Sequence, residues 1–379
     1  MSNSVLAGKR ILHCYVIAEF GGLASAFVAI TNSLAHKGAD VTVVLQKPSG
    51  ELMGEIDPNI DIVGLGYGGL RSYPKMMLRL RDLMKRLRPE IVISHSWNCN
   101  ALAAIAFRAC KPRPKLILYE HTSVAFNSLY KGRQNLIKHL TIPPLYRRAD
   151  VLIVVSEGIR REYEKKYFIP RDLIAVIPPP IDVVNVTRLA PEPVDHPWFN
   201  DGVPVILSVT PFTPAKDLKT LLNAFAVIRK EIHARLVLVG DGSERGMLES
   251  LASQLGIQKD FQILGYQPNP YKYMMRSSVF ASTSVVEGFG IAIVEALALG
   301  LPVVATRCDG PVDILENGRY GLLTPVGDST ATAHAISRLL SDEALRMALS
   351  EDGRARACLY ESEEILKRVE DKIISVLRS

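Results

Sequence analysis

Residues 10–46 read RILHCYVIAEFGGLASAFVAITNSLAHKGADVTVVLQ, and this stretch decides the fold class. Its two ends, RILHCYVI (10–17) and DVTVVLQ (40–46), are short apolar runs rich in β-branched residues, the pattern of strands buried on both faces. Between them LASAFVAITNSLAHKG (23–38) carries apolar residues at helical spacing and ends on Gly38, a natural helix stop. Strand, helix and strand in that order predict a parallel βαβ unit.

The alternation continues outward. EIVISHS (90–96), KLILYEH (115–121) and VLIVVSE (151–157) read as further buried strands. The pattern pauses at 178–204, which holds Pro178, Pro179, Pro180, Pro191, Pro193, Pro197 and Pro204 and reads as a linker. A second series follows. VPVILSVT (203–210), ARLVLVGDG (234–242), FQILGY (261–266), SVFASTS (278–284) and LPVVATR (301–307) are strands, with helices around 217–231, around 244–255 and from about 291. The reading is α/β, two Rossmann-like doubly wound parallel-sheet domains, with ligands expected in a cleft at the strand C-terminal ends. The expected boundaries are 1–184 and 185–361. The tail from Asp342 reads as one or two amphipathic helices, the last of which, about 362–379, is expected to pack back on the first domain.

Length and composition agree with two folded domains. The 379 residues are 48% hydrophobic and 22% charged, which excludes a disordered chain. No apolar run approaches the ~18–20 residues that cross a bilayer. Lys9, Arg10, His13 and Glu19 interrupt the N-terminal segment, so no signal core is read and a cytoplasmic location is expected. Cys14, Cys99, Cys110, Cys308 and Cys358 form no CxxC pair and read as reduced thiols, without metal or disulfide.

The net charge of +6 conceals an asymmetry. Residues 1–180 hold 25 Lys and Arg against 14 Asp and Glu, a balance of +11, whereas the remainder stands at −5. A basic first half fits an anionic partner such as a membrane surface or a phosphorylated acceptor, or else a set of solvated helix faces. KMMLRLRDLMKRLR (75–88) is a basic amphipathic helix with Met76, Met77, Leu80, Leu83, Met84 and Leu87 as its apolar stripe. SLYKGRQNLIKHL (128–140) is a second basic stretch. Nucleic acid is not expected, because no recognised module is present and aromatic residues are too sparse for base stacking.

The densest chemistry lies in EGFGIAIVE (287–295). Gly288 and Gly290 allow close backbone approach to a ligand. The helix read from Ile291 offers free N–H groups and a positive dipole end, which suits a diphosphate. Glu287 falls in the loop and Glu295 one turn inside the helix, so the two carboxylates can reach different parts of one ligand. An isolated pair of glutamates would equally be ordinary acidic residues at a helix start. Gly21-Gly22 after the first strand is another turn able to present N–H groups to phosphate. His121 closes the KLILYEH strand, where a lone histidine is more often structural. Lys216 stands just after the first strand of the second series, as a diphosphate partner or as a solvated lysine. His13, His95 and His139 read as structural, and Asp309 and Asp313 as turn residues rather than metal ligands.

With GDGSER (240–245), ILGYQPNPY (263–271) and GLLTPVGD (321–328) in order around the two glutamates, the chain resembles the retaining glycosyltransferases of family 4, the group 1 glycosyl transferases. Glu287 and Glu295 match the family's E-x7-E motif, and the resemblance is closest to transferases of bacterial surface polysaccharides and lipid-linked glycans. It implies the GT-B fold and transfer of a sugar, with retention, from a nucleotide diphosphate donor. A UDP-sugar is favoured and GDP-mannose is the alternative. The implied acceptor is a glycan or lipid-linked saccharide, and the basic first domain would border the acceptor and the membrane. By the same resemblance Glu295 binds ribose and the backbone of Phe289, Gly290 and Ile291 binds sugar and phosphate. Lys216 and Gly22 meet the diphosphate, and Glu287 and His121 hold the sugar. No cofactor or metal is implied. One departure stands out: Thr210, Pro211 and Phe212 replace the family's Gly-Arg-Leu, removing a cation from the leaving-group site. Arg245 and Arg307 are candidate replacements. A weakly active or inactive relative that binds a nucleotide sugar or a partner transferase is the rival reading.

Overall fold

The computed structural model describes residues 5–16, 22–67, 70–123 and 133–379. The chain forms two compact units, 1–180 together with 363–379, and 181–362.

The first unit holds β1 (Arg10–Tyr15), β2 (Asp40–Leu45), β3 (Asp61–Gly64), β4 (Ile91–His95), β5 (Lys115–Glu120), β6 (Val151–Val154) and β7 (Ile174–Val176). They form one parallel sheet in the order β3-β2-β1-β4-β5-β6-β7. Helices cover the sheet, which is why its strands are apolar runs rather than alternating ones. On one face Phe27, Ile30 and Leu34 of helix Gly22–His36 pack with Ile11, Val43, Ile93, Ile117 and Ile153 of the strands. Ile365, Val369, Ile373 and Val376 of the last helix, Ser362–Arg378, belong to the same core.

The second unit holds β8 (Val205–Val209), β9 (Arg235–Val239), β10 (Phe261–Gly265), β11 (Val279–Ser282), β12 (Val303–Thr306) and β13 (Leu322–Thr324), again all parallel, in the order β10-β9-β8-β11-β12-β13. Its core joins Ile206, Leu236 and Leu238 to Leu221, Leu222 and Phe225 of helix Leu218–Ile228 and to Ile336 and Leu339 of helix Ser329–Ser341. Both sheets share one device. The chain runs outward from a central strand and returns to pair on that strand's other side, which puts a topological switch point between β1 and β4 and between β8 and β11.

Three expectations change. The stretch 178–204 is not a free linker: Asp182 caps helix Val183–Leu189 by accepting from Asn185 N at 2.8 Å, and Phe199 packs against Tyr273. Prolines here end elements of a folded unit. Asp309 and Asp313 lie not in a turn but on helix Asp309–Ile314, since proline is tolerated in a helix's first turn. Strands β3, β7 and β13 escaped the pattern because each has only three or four residues and is partly exposed. Among the described residues no helix is long and apolar enough to cross a membrane.

Candidate active site

The loops that leave β8 and β11 meet at the second unit's switch point. Val285 N donates to the Ala215 carbonyl at 2.8 Å. The Thr283 hydroxyl lies 2.9 Å from the Asp217 carbonyl and 3.2 Å from that of Lys216. Braced in this way, Lys216 sends its ammonium to Glu287 Oε2, which also accepts from Ser284 Oγ at 3.2 Å. Oε1 of Glu287 makes no hydrogen bond among the described residues.

Gly290 follows at φ 108°, ψ 60°, a left-handed conformation that an L side chain resists. Helix Ile291–Ala298 starts there, where the sequence places it. The amides of Phe289, Gly290 and Ile291 donate to no acceptor among the described residues, so three N–H groups converge at a helix N-terminus. The loop is pressed from behind: Gly310 N donates to the Glu287 carbonyl at 3.1 Å, and a Cβ on Gly310 would lie 2.0 Å from Phe289 O.

Glu295 projects from the next turn. The Tyr271 hydroxyl donates to its Oε1 at 3.1 Å. The side chain keeps some surface exposed, yet its packing desolvates the carboxyl and pushes its pKa up to about 7, with the Tyr271 bond opposing the shift. Burial, with Glu295 next in weight, also raises the Tyr271 phenol.

At the departure from the family pattern, Pro211 is exposed and Phe212 is fully buried. The backbone of Thr210 and Phe212 runs so close beneath Gly240 and Gly242 that Cβ atoms there would lie 2.0 Å from Thr210 O and 2.5 Å from Phe212 O. Arg245 is engaged elsewhere, paired with Asp241 at 2.8 Å and Glu249 at 3.0 Å. Arg307 is exposed.

Gly22 and His121 belong to the first unit. Gly22 opens helix Gly22–His36, and Gly21 lies outside the described residues, as do 128–132 of the second basic stretch. His121 follows β5 and is 3% exposed. Its Nε2 lies 2.8 Å from His95 Nδ1, and His95 Nε2 lies 2.6 Å from His13 Nε2. His13 Nδ1 lies 2.9 Å from Thr31 Oγ1. His13 and His95, read from the sequence as structural, are therefore joined to His121 by hydrogen-bond contacts. Burial lowers all three imidazoles, His13 to about 3, His121 to about 4 and His95 well below its ordinary value, so the cluster is neutral at pH 7. His121 Nδ1 has no hydrogen-bond partner among the described residues.

Glu120, beside His121, is also buried, which pushes its carboxyl up to about 7. It accepts from the Tyr146 hydroxyl and, at 3.0 Å, from Asn100 Nδ2. Glu120, Ser96, Trp97, Thr122 and Lys138 line a cavity of about 70 Å³.

Residues 20–185 match the family model Glycosyltransferase Family 4, and residues 195–356 match Glycosyl transferases group 1. The D-inositol 3-phosphate glycosyltransferase of Corynebacterium urealyticum is 31% identical over 298 residues, covering 74% of this chain and 70% of that relative. The chain belongs to this glycosyltransferase family. A Campylobacter jejuni relative is 26% identical over 297 residues, 78% of this chain and 79% of its own. It is an N-acetylgalactosamine-N,N'-diacetylbacillosaminyl-diphospho-undecaprenol 4-alpha-N-acetylgalactosaminyltransferase. Anabaena Alr3699/HepE, solved in complex with UDP and glucose, superposes with a TM-score of 0.79 at 19% identity, over 97% of this chain and all of its own. The two Rossmann-like units of this glycosyltransferase are thus the GT-B architecture.

Sequence reasoning did not single out Ser284, Tyr271, Thr31, His13 or His95. Tyr271 was within reach, since it closes the ILGYQPNPY block. The histidines left only a faint signal, a polar ring in each of two otherwise apolar strands, and nothing in the sequence says that β1, β4 and β5 are consecutive in the sheet.

Proposed function

We propose that this glycosyltransferase moves a sugar, with retention of configuration, from a nucleotide diphosphate donor to a saccharide or lipid-linked acceptor. The observation that carries this reading is the loop and helix after β11, which bring together the Lys216–Glu287 ion pair, Glu295 with its Tyr271 bond, and amides of 289–291 that are unpaired among the described residues. Amides of 289–291 and the Lys216 ammonium suit a diphosphate. An ammonium has three N–H donors, so Lys216 can serve a phosphate while it holds Glu287. The unpaired Oε1 of Glu287 then accepts from a sugar hydroxyl, and Glu295, steadied by Tyr271, accepts from the ribose hydroxyls. The family resemblance further gives Gly22 a diphosphate contact and His121 a sugar contact. Acceleration comes from positioning and leaving-group stabilisation, without a metal or a protein nucleophile. The family relationship and the UDP bound to HepE favour a UDP-sugar over GDP-mannose.

Thermal unfolding with UDP, GDP, ADP and their common sugar conjugates tests the donor. A ligand at a hundred times its Kd adds about 2.7 kcal/mol of stability, and Glu295→Ala should abolish that gain. The rival reading, a binder without activity, rests on Pro211 and on the engagement of Arg245 by two carboxylates. It gains ground if no nucleotide stabilises the protein, or if a bound donor is never turned over.

The lipid-linked part of the proposal draws on the undecaprenol-linked substrate of the Campylobacter relative and on one surface feature. Helix Arg133–Tyr146 exposes Leu136, Ile137 and Leu140 within a basic unit, a surface suited to peripheral contact with an anionic, cytoplasmic membrane face. The chain should co-sediment with anionic vesicles, and Leu136→Ser with Leu140→Ser should weaken that binding severalfold.

A further inference from the structure

Three buried histidine rings in hydrogen-bond contact, with one ring nitrogen left unpaired at the end, leave little freedom for their protons. Neutral imidazole carries one N–H and one bare nitrogen, so each link in such a chain dictates the next. The chain is anchored at Thr31, whose Oγ1 lies 2.7 Å from the Phe27 carbonyl. That carbonyl can only accept, so the single hydroxyl proton goes to it, and Oγ1 accepts from His13 Nδ1–H at 2.9 Å. His13 Nε2 is then bare and accepts from His95 Nε2–H at 2.6 Å. His95 Nδ1 is bare in turn and accepts from His121 Nε2–H at 2.8 Å. The last ring is left with Nδ1 as an unprotonated lone pair, and this atom has no partner among the described residues.

The opposite polarity fails at both ends. It would take the hydroxyl proton from the Phe27 carbonyl, and it would leave His121 with a buried N–H that meets no acceptor among the described residues. An orphaned buried N–H is costlier than an unused lone pair. Packing also blocks ring flips. His95 stacks on Tyr119 with centroids 4.6 Å apart and on His121 at 5.1 Å, and His13 lies 4.4 Å from the Phe27 ring. The rings of His13 and His95 are fully buried.

We propose that Thr31, His13 and His95 are positioning residues that hold His121 in its neutral Nε2–H tautomer, so that its Nδ1 accepts a hydrogen bond from a hydroxyl of the transferred sugar. This rests on the donor reading above and deepens it. The site then selects by hydrogen-bond polarity: a sugar with an O–H at this place is accepted, and one with an acceptor-only group there, such as fluorine or a carboxylate, is disfavoured. Glu120, next in sequence, takes no part, since Asn100 and Tyr146 hold its carboxyl.

The test reads the tautomers directly. With ¹⁵N-labelled histidine, two-bond N–H couplings in the ligand-free protein should report Nε2–H for His121 and His95 and Nδ1–H for His13. Thr31→Val removes the anchoring acceptor and should shift His121 towards Nδ1–H. It should weaken binding of UDP-glucose or GDP-mannose, whichever binds, about three- to tenfold. Binding of UDP or GDP alone should be unchanged. Thr31→Ser keeps the hydroxyl and should behave as the wild type, which separates loss of the relay from a disturbed fold. An Nδ1–H or doubly protonated His121 in the wild type overturns the relay, as does a Thr31→Val protein with unaltered tautomers. Altered tautomers with unaltered nucleotide-sugar affinity overturn the sugar contact. Expected tautomers in a protein that binds neither nucleotide nor nucleotide sugar would reject the donor reading instead.

Discussion

Glu295 shows how burial tunes a candidate binding residue. In the sequence it is a glutamate one turn into a helix, and its titration is unreadable. In the fold its carboxyl is held near 7 by desolvation, against an ordinary value of 4.5. In the proposed role, acceptance of two ribose hydroxyls would select the ionised form. Nucleotide affinity is therefore expected to rise with pH, by up to about tenfold per unit below 7, and to level off above it. Titration calorimetry with the stabilising nucleotide between pH 5.5 and 8.5 checks this, and Glu295→Gln should flatten the profile. A flat wild-type profile would remove Glu295 from the ribose. The Lys216–Glu287 pair teaches a related lesson. Each residue was legible as a ligand-binding candidate, but their ion pair spans 71 positions and exists only because β8 and β11 are neighbours.

At the scale of elements, the loop–helix 287–298 was readable because its signals are local: a glycine with positive φ, then an apolar helix. What supports that loop was not. Helix Asp309–Ile314, read as a turn, presses Gly310 against Phe289 so tightly that no side chain fits. Gly310→Ala must push the two elements apart, and overpacking of this kind costs about 1–3 kcal/mol. Chemical denaturation should show a loss in that range, with weaker nucleotide binding because the amides of 289–291 move. Unchanged affinity would mean that the loop's geometry does not depend on this contact. Short strands such as β13 lay below the reach of periodicity, since three residues cannot establish a repeat.

For the molecule as a whole, the buried titratable groups set an acid limit. His13, His95 and His121 are neutral in the fold and become protonated once unfolded, so the unfolded chain holds up to three more protons between about 4 and 6.5. Glu120 works the other way. Its folded pKa of about 7 exceeds the ordinary 4.5, so the native state holds one extra proton between those values, and that contribution is lost as pH rises. The balance in the first unit is about two protons in favour of the unfolded state. Stability should therefore fall by roughly 2–3 kcal/mol per pH unit as pH drops from 6.5 towards 4.5. Denaturant midpoints across that range test this, and His95→Gln should make the decline shallower. A first unit equally stable at pH 6.5 and 5 would show that the histidines are not held neutral.

Some properties of this protein follow from the order of residues alone. Buried parallel strands are apolar runs and amphipathic helices repeat every 3.6 residues, so the two α/β series can be read without coordinates. The glutamates and glycines of 287–295 carry a short-range pattern that resembles the family's. Pairings between distant segments are different in kind, because they depend on which strands become neighbours. The sheet order, not any local repeat, brought His13 of β1 and His95 of β4 to His121 after β5, and Lys216 to Glu287. Burial, a property of the packed whole, then left the three imidazoles uncharged at pH 7.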